Sequence, residues 1–350
     1  MKKVISSIFI LLLLIILFVV IAFTYLTLTD YTPNYVERIY VSSDNEPTTK
    51  TKFEILTWNI GYAGLGNDMD FFYDGGKKVR TSEKRTQQNI DAISSKLAEY
   101  SSVDFILLQE VDIKSKRSYY INNLELIKKV LPNFYNYYVP NYRVKYVPLP
   151  ITKPMGSVES GLVTFTKYEP FSVVRHSFVE NFSWPKRLFT LDRCFMVTRI
   201  MLSNKKELLI INTHNSAFDD GTLKDKQLKQ ISDFVTTEYV KGNYIILGGD
   251  WNQTPPSFND DIFGKIIDDK ATFKISSISK DFLPNWHIFY DANTPSNRFL
   301  THPYIKGKTK ETVLDMFLCS PNIKKIDIKS LNLEFENSDH NPVLLKFELL

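Results

Sequence analysis

The segment Tyr244–Asn252, YIILGGDWN, is an apolar run that ends in two glycines, an acid, an aromatic residue and an amide. The apolar part is typical of a buried strand, and α/β proteins build sites where such strands end. Asp250 and Asn252 are two residues apart, so in an extended segment they point to the same side. A carboxylate that activates water beside an amide that orients an oxygen would suit work on a phosphate. A turn alone would also explain the glycines. Matching groups elsewhere in the chain are therefore needed to distinguish a site from a turn.

Composition limits the classes of protein to which this chain can belong. The 350 residues are 43% apolar and 14% aromatic, which supports a sizeable core and argues against disorder. A net charge of +4 gives no strongly basic nucleic-acid surface overall, although a local patch remains possible. Cys194 and Cys319 lie too far apart in the sequence for a disulfide scaffold, and buried free thiols are expected.

The N-terminus carries an apolar segment long enough to span a bilayer. Val4 to Thr29 contain no charge, and Ile5 to Phe23 are almost entirely Ile, Leu, Val and Phe. No small-x-small cleavage site follows, so we expect an uncleaved single-pass anchor through residues 4–25, with a cleaved signal as the alternative. Lys2 and Lys3 place the N-terminus in the cytoplasm by the positive-inside rule, which leaves the body extracytoplasmic.

Three parts of the chain are predicted: a cytoplasmic tip and transmembrane anchor over 1–29, a polar tether over 30–52, and one catalytic-sized domain over 53–350. Within the domain, strands alternate with two helix-period segments, 83–100 and 223–240. This alternation predicts an α/β fold, and its irregular connections favour a mixed sheet over a parallel one. The predicted strands are 53–58, 103–109, 160–166, 193–202, 207–213, 244–248, 313–318 and 343–348.

Several predicted strands deliver a polar residue at or just after an apolar run. Any one of these is more simply a solvated acid or a satisfied histidine. Together they supply the groups needed for metal-assisted phosphoester hydrolysis, because carboxylates bind a hard cation while histidines and acids manage protons. These residues are Asn59, Glu110, His214, Asp250, Asn252, Asp315, Asp339 and His340.

Seven motifs in this order resemble the endonuclease/exonuclease/phosphatase superfamily. They are TWNIG (57–61), LLQEVD (107–112), ESGLVTFTK (159–167), NTH (212–214), GGDWN (248–252), LDMFL (314–318) and SDHNPV (338–343). Each motif alone is weak, but the ordered set spans nearly all of residues 53–348. The resemblance implies a four-layer sandwich of two mixed β-sheets flanked by helices, preceded here by the transmembrane helix.

The resemblance also implies roles for individual residues. Glu110 would be the principal metal ligand, with Asn59 and Asp339 as further ligands. Asp250 would position or deprotonate the attacking water, and Asn252 would hold a phosphate oxygen. His340 would contact the scissile phosphate, with Asp315 as its acid partner. His214 fits the second histidine of the deoxyribonuclease-like branch, with Glu159 as the carboxylate to pair with it.

Three segments offer weaker clues to a substrate. In 134–148, aromatic residues interleave with Arg143 and Lys145, which are our candidates for substrate binding; an edge strand with two different faces explains the pattern more simply. The loop 66–80 follows Asn59 and is a candidate border of the site. Trp184-Pro185-Lys186-Arg187 is an exposed basic-aromatic segment to which the sequence attaches no mechanism.

The sequence therefore predicts a membrane-anchored, outward-facing hydrolase of phosphodiester bonds that uses Mg²⁺, with Mn²⁺ or Ca²⁺ as other possible ions. Nucleic acid and a phospholipid headgroup both fit as substrate, and no protein partner is inferred. The alternative is a non-catalytic surface binding protein that retains the fold. Presence of Glu110, Asp250, Asn252 and His340 favours the enzyme.

Overall fold

The structure is a computed structural model that describes residues 2–43, 45–178, 182–217, 222–264, 271–272 and 275–350. Its helices are α1 (Lys2–Leu28), α2 (Glu83–Glu99), α3 (Asn123–Val130) and α4 (Thr222–Val240). Short 3₁₀ turns lie at Gly61–Ala63, Phe72–Asp74, Lys116–Ser118, Lys186–Phe189 and Asp260–Phe263.

The strands in chain order range from two to thirteen residues. They are β1 (Val36–Val41), β2 (Lys52–Asn59), β3 (Phe105–Asp112), β4 (Tyr135–Val147), β5 (Gly156–Thr166), β6 (Ser172–Ser177), β7 (Cys194–Met201), β8 (Glu207–His214), β9 (Tyr244–Asp250), β10 (Gln253–Thr254), β11 (Ser276–Ser277), β12 (His287–Phe289), β13 (Asn297–Arg298), β14 (Glu311–Thr312), β15 (Asp315–Cys319), β16 (Ile323–Ser330) and β17 (Val343–Leu349).

Two large mixed sheets form the body of the protein. One has the order β1-β6-β7-β8-β9-β15-β12 and the other β16-β17-β2-β3-β5-β4. Each contains one parallel pair near its centre, β8 with β9 and β2 with β3, while the other neighbours run antiparallel. This arrangement confirms the predicted α/β class with mixed sheets.

The sheets pack face to face, and helices cover their outer faces. Phe53, Phe105, Ile210 and Phe317 belong to the apolar cluster between the sheets. A second cluster joins α2 and α3 to β2 and β3, and a third joins α4 to β7, β8 and β9. The molecule therefore has the four layers helix, sheet, sheet, helix that the resemblance implied.

All eight predicted strands and both predicted helices are observed, but α3, β6, β16 and the short strands β10–β14 were not predicted, and the predicted tether needs a correction. Residues 36–41 form β1, the edge strand next to β6, with Val36 opposite His176 and Val41 opposite Ser172. Its sequence VERIYV is rich in β-branched residues, which favour extended structure in a segment that otherwise looks polar.

Helix α1 is long and apolar enough to cross a membrane, with a mean hydropathy of 3.5 over its most apolar window and no residue buried inside the protein. A signal sequence near the N-terminus meets the same criteria of length and composition.

An ionic cluster ties the end of α4 to β7. Glu238 accepts two hydrogen bonds from Arg199, at 3.0 and 2.7 Å, and one from Lys241 at 2.9 Å. Burial opposes ionisation of Glu238, but these hydrogen bonds outweigh it and lower its pKa to about 2.

We predict that Glu238→Gln destabilises the protein by about 1 to 3 kcal/mol at pH 7, because charge-assisted hydrogen bonds are lost. A carboxylate whose pKa is lower in the folded than in the unfolded protein stabilises the fold at pH values above its unfolded pKa, which is near 4.3 for glutamate. That stabilisation is lost as the pH falls toward the folded pKa near 2. The difference from wild type should therefore shrink between about pH 4 and pH 2, in urea unfolding followed by circular dichroism in detergent micelles. Asp233→Asn, on an exposed ion pair of the same helix, serves as control and should change little. A pH-independent deficit for Glu238→Gln would contradict the prediction.

Candidate active site

The site lies where the two parallel strand pairs end. Asn59 ends β2 opposite Gln109 of β3, and His214 ends β8 opposite Asp250 of β9. Because the carboxyl ends of parallel neighbours share one edge of a sheet, each sheet presents two polar groups there. Face-to-face packing brings both pairs together, and Asn59 Nδ2 donates to Asp250 Oδ2 across the gap at 2.9 Å.

The two glycines before Asp250 are required by close packing. A Cβ on Gly248 would lie 2.5 Å from the Phe317 ring, and one on Gly249 would lie 2.0 Å from the Thr213 carbonyl oxygen. Gly249 also has a φ of +147°, which side-chain-bearing residues rarely adopt. The Gly-Gly pair therefore allows β9 to run deep between its neighbours and deliver Asp250 at its end.

Glu110 is aimed into the site by a bulge. The register of β3 against β5 shifts between Leu108 and Val111, and Glu110 between them has a φ of +54°. Positive φ at a residue with a side chain is strained and recurs at functional sites. Asn252 has a φ of +50° and Tyr62 a φ of +44°, so three residues around one cleft share this strain.

Asp250 is the centre of the hydrogen-bond network. Its Oδ1 accepts from the Asn252 backbone N–H at 2.9 Å, and its Oδ2 accepts from Asn59. The Nε2 atoms of His214 and His340 lie 3.4 and 3.5 Å from Oδ2. Side-chain Asn252 Nδ2 donates to the carbonyl oxygen of Asn215 at 2.9 Å, which fixes that amide beside the carboxylate.

His340 and Asp315 form a buried pair beside Asp250. His340 Nδ1 lies 2.7 Å from Asp315 Oδ2, which also accepts from Ser296 Oγ at 2.7 Å. Burial alone would lower the pKa of His340, but the charges of Asp315, Asp250 and Asp339 outweigh it and raise the pKa to about 10. His340 is therefore a cation at neutral pH, and Asp315 holds its ring in place through Nδ1.

His214 has the opposite electrostatic character. Burial and the positive charge of Arg193 hold its pKa well below the usual range, so it is neutral. Arg193 Nη1 donates to the His214 carbonyl oxygen at 3.1 Å, and its own pKa is lowered to about 10 by burial. The two histidines on either side of Asp250 thus differ in charge.

The donor set of Asn59, Glu110 and Asp339 fits a hard divalent cation. Burial raises the pKa of Glu110, and the charge of Asp339 raises it further, which is the repulsion that a bound cation relieves. Gly61 keeps space open here, since a Cβ on it would lie 2.7 Å from Asp339 Oδ1. Among the described residues no three His, Cys, Asp or Glu side chains form a ready metal cluster. Mg²⁺ needs only one or two carboxylates together with water.

Two buried arginines and an amide of the site were not predicted. Arg117 pairs with Asp112 at 2.9 Å, approaches Glu110 at 3.7 Å and lies 3.8 Å from the centre of the Tyr62 ring. Arg117 sits in the run KSKRS, which has the composition of a solvated loop, so nothing in the sequence indicates its burial. Arg193 follows a stretch without strands. The Asn297 amide lies 2.9 Å from His340 Nε2. Asn297 belongs to a two-residue strand that has no apolar run to mark it.

Three predicted residues do not reach the site. Glu159 forms an ion pair with Arg143 at 3.2 Å, so its predicted pairing with His214 is not formed. Strand alternation explains this, because the neighbouring Ser160 and Tyr142 line the cleft and leave Glu159 and Arg143 on the opposite face. Lys145 shares that exposed face. β4 is an edge strand with two different faces, as the simpler interpretation of 134–148 held.

The polar groups lie at the floor of a cleft of ≈ 590 Å³. Its walls come from the loop 66–80, the β4–β5 connection and the segment 182–191. Wall residues are mostly apolar, among them Phe71, Tyr73, Val147, Leu149, Met155, Phe182, Phe189, Leu191 and Leu300. Asp74 from the first loop also faces the cleft, and burial raises its pKa. The predicted bordering role of 66–80 is thus observed.

The protein is an α/β sandwich whose carboxylates, histidines and amides converge at one cleft floor. A family model described as "Endonuclease/Exonuclease/phosphatase family" matches residues 56–340. The chain belongs to the endonuclease/exonuclease/phosphatase family, whose members are hydrolytic phosphoesterases. No curated protein sequence matches it.

Solved structures share the fold at low sequence identity. An endonuclease/exonuclease/phosphatase from Beutenbergia cavernae is 15% identical, with a TM-score of 0.57 over 86% of this chain and 72% of that one. One from Bacteroides vulgatus is 17% identical, with a TM-score of 0.55 over 86% and 100%. ANGEL2, a 2′,3′-cyclic phosphatase, is 16% identical, with a TM-score of 0.53 over 91% and 99%.

We predict that Arg117→Met destabilises the protein by about 3 to 5 kcal/mol, because it leaves Asp112 buried and unpaired. Asp112 is fully buried and accepts two hydrogen bonds from Arg117, so water cannot replace the lost partner. The measurement is chemical unfolding of both proteins in the same detergent. The double variant Arg117→Met/Asp112→Asn removes the orphaned charge and should recover part of the loss; equal stability of single and double variants would refute the explanation.

Proposed function

We propose that this protein is a divalent-metal-dependent phosphodiesterase, anchored in a membrane with its catalytic domain outside the cytoplasm. The observation that carries the proposal is the convergence of Asn59, Asp250 and the His340–Asp315 pair at one cleft floor. Asn59 lies 2.9 Å from Asp250, Asp250 lies 3.5 Å from His340, and His340 lies 2.7 Å from Asp315. Membership of a family of hydrolytic phosphoesterases supports it.

Asp250 acts as the base that positions and deprotonates the attacking water. Its two oxygens accept hydrogen bonds from Asn59 and from the Asn252 backbone, which fix its direction toward the cleft. A base held in this way takes the water proton as the oxygen approaches phosphorus. The Asn252 side chain lies beside it and orients a phosphate oxygen.

His340 stabilises the negative charge that develops on the phosphate. Its raised pKa keeps it protonated, and Asp315 fixes the ring from behind through Nδ1, so Nε2 is directed toward the cleft floor. Neutral His214 lies on the other side of Asp250 and offers a hydrogen bond without adding charge. The retention of this whole set is what disfavours the alternative of a non-catalytic binding protein.

A divalent cation held by Glu110, with Asn59 and Asp339, would neutralise charge on the phosphate oxygens. Mg²⁺ is the ion we propose, with Mn²⁺ or Ca²⁺ as substitutes, because the donors are hard oxygens. The substrate is a phosphodiester, for which nucleic acid and a phospholipid headgroup are the two classes that the sequence left open.

We predict that Asp250→Asn lowers kcat on bis(p-nitrophenyl) phosphate by a factor of roughly 10² to 10⁴, the usual contribution of a positioned base. The amide keeps the shape and its oxygen still accepts hydrogen bonds, so KM should change little. Asp233→Asn on the surface of α4 is the matched control. If Asp250→Asn keeps more than half the wild-type kcat, Asp250 is not the base.

Metal binding is tested without an activity assay. Addition of 10 mM Mg²⁺ should raise the unfolding temperature of wild type. A ligand that binds only the folded state stabilises it by RT ln(1 + [L]/Kd), which is about 2.7 kcal/mol when the ligand concentration is 100 times Kd. Glu110→Gln should abolish the Mg²⁺-dependent shift, while Glu125→Gln, on an exposed residue of α3, should keep it. A shift of equal size in all three proteins would show that Glu110 is not a ligand.

A further inference from the structure

The carboxyl end of α1 packs directly on the segment that forms one side of the cleft mouth. The Phe23 ring meets the rings of Trp184 and Phe189 edge to face, with centroids 6.1 and 6.2 Å apart. Trp184 Nε1 donates to Thr27 Oγ1 at 3.1 Å. Phe189 itself lines the cleft, so the last turns of α1 lie one side chain away from the substrate space.

The residues that follow α1 are docked on the catalytic domain. Asp30 pairs with Arg187 at 3.3 Å, and the Tyr31 ring lies 5.3 Å from the Arg143 guanidinium. Ser177 Oγ then donates to the Asn34 carbonyl oxygen at 2.9 Å. A residue spans at most about 3.6 Å of extended chain, so Tyr31 lies within roughly 11 Å of the helix end. The helix and the domain therefore have no free linker between them.

The length of α1 sets the depth in the membrane at which these contacts lie. As a helix, the apolar run from Ile5 to Phe23 is about 28 Å long, which matches a hydrocarbon core of about 30 Å. Phe23 and its partner Trp184 then lie in the headgroup layer, where tryptophan is favoured. Lys186, two residues after Trp184, provides a cation at the level of lipid phosphates.

A second segment that borders the cleft is apolar and exposed. The β4–β5 connection contributes Leu149, which lines the cleft and is 45% exposed, and Ile151, which is 86% exposed. Trp184, in the wall segment 182–191, is 55% exposed. Large apolar side chains grouped at the entrance of a site mark contact with an apolar partner. The exposed apolar side chains of Leu149 and Ile151 offer nothing to a polyanion such as nucleic acid, which is bound through basic and aromatic surfaces.

We infer that the substrate is a phosphodiester lipid taken from the leaflet in which α1 ends, with the cleft mouth set into the headgroup layer. The inference rests on the proposed function and narrows its substrate. The apolar walls accept the part of the lipid next to the phosphate, and the polar floor receives the phosphate. The water oxygen bonds to phosphorus, one P–O ester bond breaks, and the leaving alkoxide takes up the water proton to become the free alcohol, with no change of oxidation state.

The test uses the full chain reconstituted in vesicles of phosphatidylcholine, phosphatidylglycerol and sphingomyelin, with Mg²⁺ or Mn²⁺. Lipid hydrolysis is followed by mass spectrometry of the products, beside cleavage of soluble bis(p-nitrophenyl) phosphate and of a DNA oligonucleotide. Ile151→Asp and Trp184→Asp place a charge on each of the two exposed apolar segments at the mouth. Ile326→Asp, at an exposed isoleucine of β16 in the other sheet, is the matched control.

We expect wild type and Ile326→Asp to hydrolyse at least one of the vesicle lipids. Both mouth variants should lose lipid hydrolysis at least tenfold, while Ile151→Asp keeps its rate on the soluble diester within about twofold, which also shows that it is folded. Cleavage of soluble diester or DNA without any lipid hydrolysis would overturn the lipid inference and leave the proposed function standing. Unchanged lipid hydrolysis in both mouth variants would also overturn it. Absence of activity on every substrate would overturn the proposed function itself.

Discussion

The contact between the inner faces of the two sheets is the constraint on which the site depends. Gln109 Nε2 donates to Asn212 Oδ1 at 2.8 Å, and Asn212 Nδ2 donates to the carbonyl oxygens of Leu108 and Val163. These amides are fully buried, so any shift of one sheet over the other would leave them without partners at a cost of several kcal/mol, about 2 to 7 each. Glu110 and His214 stand one and two residues farther along the same strands. The register that satisfies the amides therefore also sets the distances at the cleft floor.

Buried acids and a buried cationic histidine lie together in the site. Glu110 and Asp339 are buried carboxylates whose pKa values are raised, in both cases mainly by burial. Arg117 does not resolve this, because its short hydrogen bonds go to Asp112 and only a longer contact reaches Glu110. His340, in contrast, is held cationic by three acids. One protonated histidine and two buried carboxylates with raised pKa values therefore lie at the same cleft floor.

The sequence predicted the parts of the fold and site that follow from local pattern. Apolar runs located the strands, and the polar residues at their ends included Asp250, Asn59 and His340. The predicted pairing of Glu159 with His214 is not formed, because one step along a strand turns a side chain to the other face. The sequence does not show whether the odd or the even positions of the strand face the cleft. Arg117 was missed because its burial comes from contact with Tyr62 and Asp112 in other segments. β1 was missed because its partner β6 lies more than a hundred residues away.

Strand β1 also determines how the catalytic domain can be separated from its helix. It closes the seven-stranded sheet with features that suit an outer edge: an irregularity between Arg38 and Tyr40, and charges at Glu37 and Arg38. A soluble form cut after residue 41 would strip this border and expose the backbone donors and acceptors of β6 (SVVRHS). Such a form is prone to edge-to-edge aggregation even if its active site is intact. The practical boundary for a soluble enzyme lies between the end of α1 and the start of β1, upstream of the region that looked dispensable.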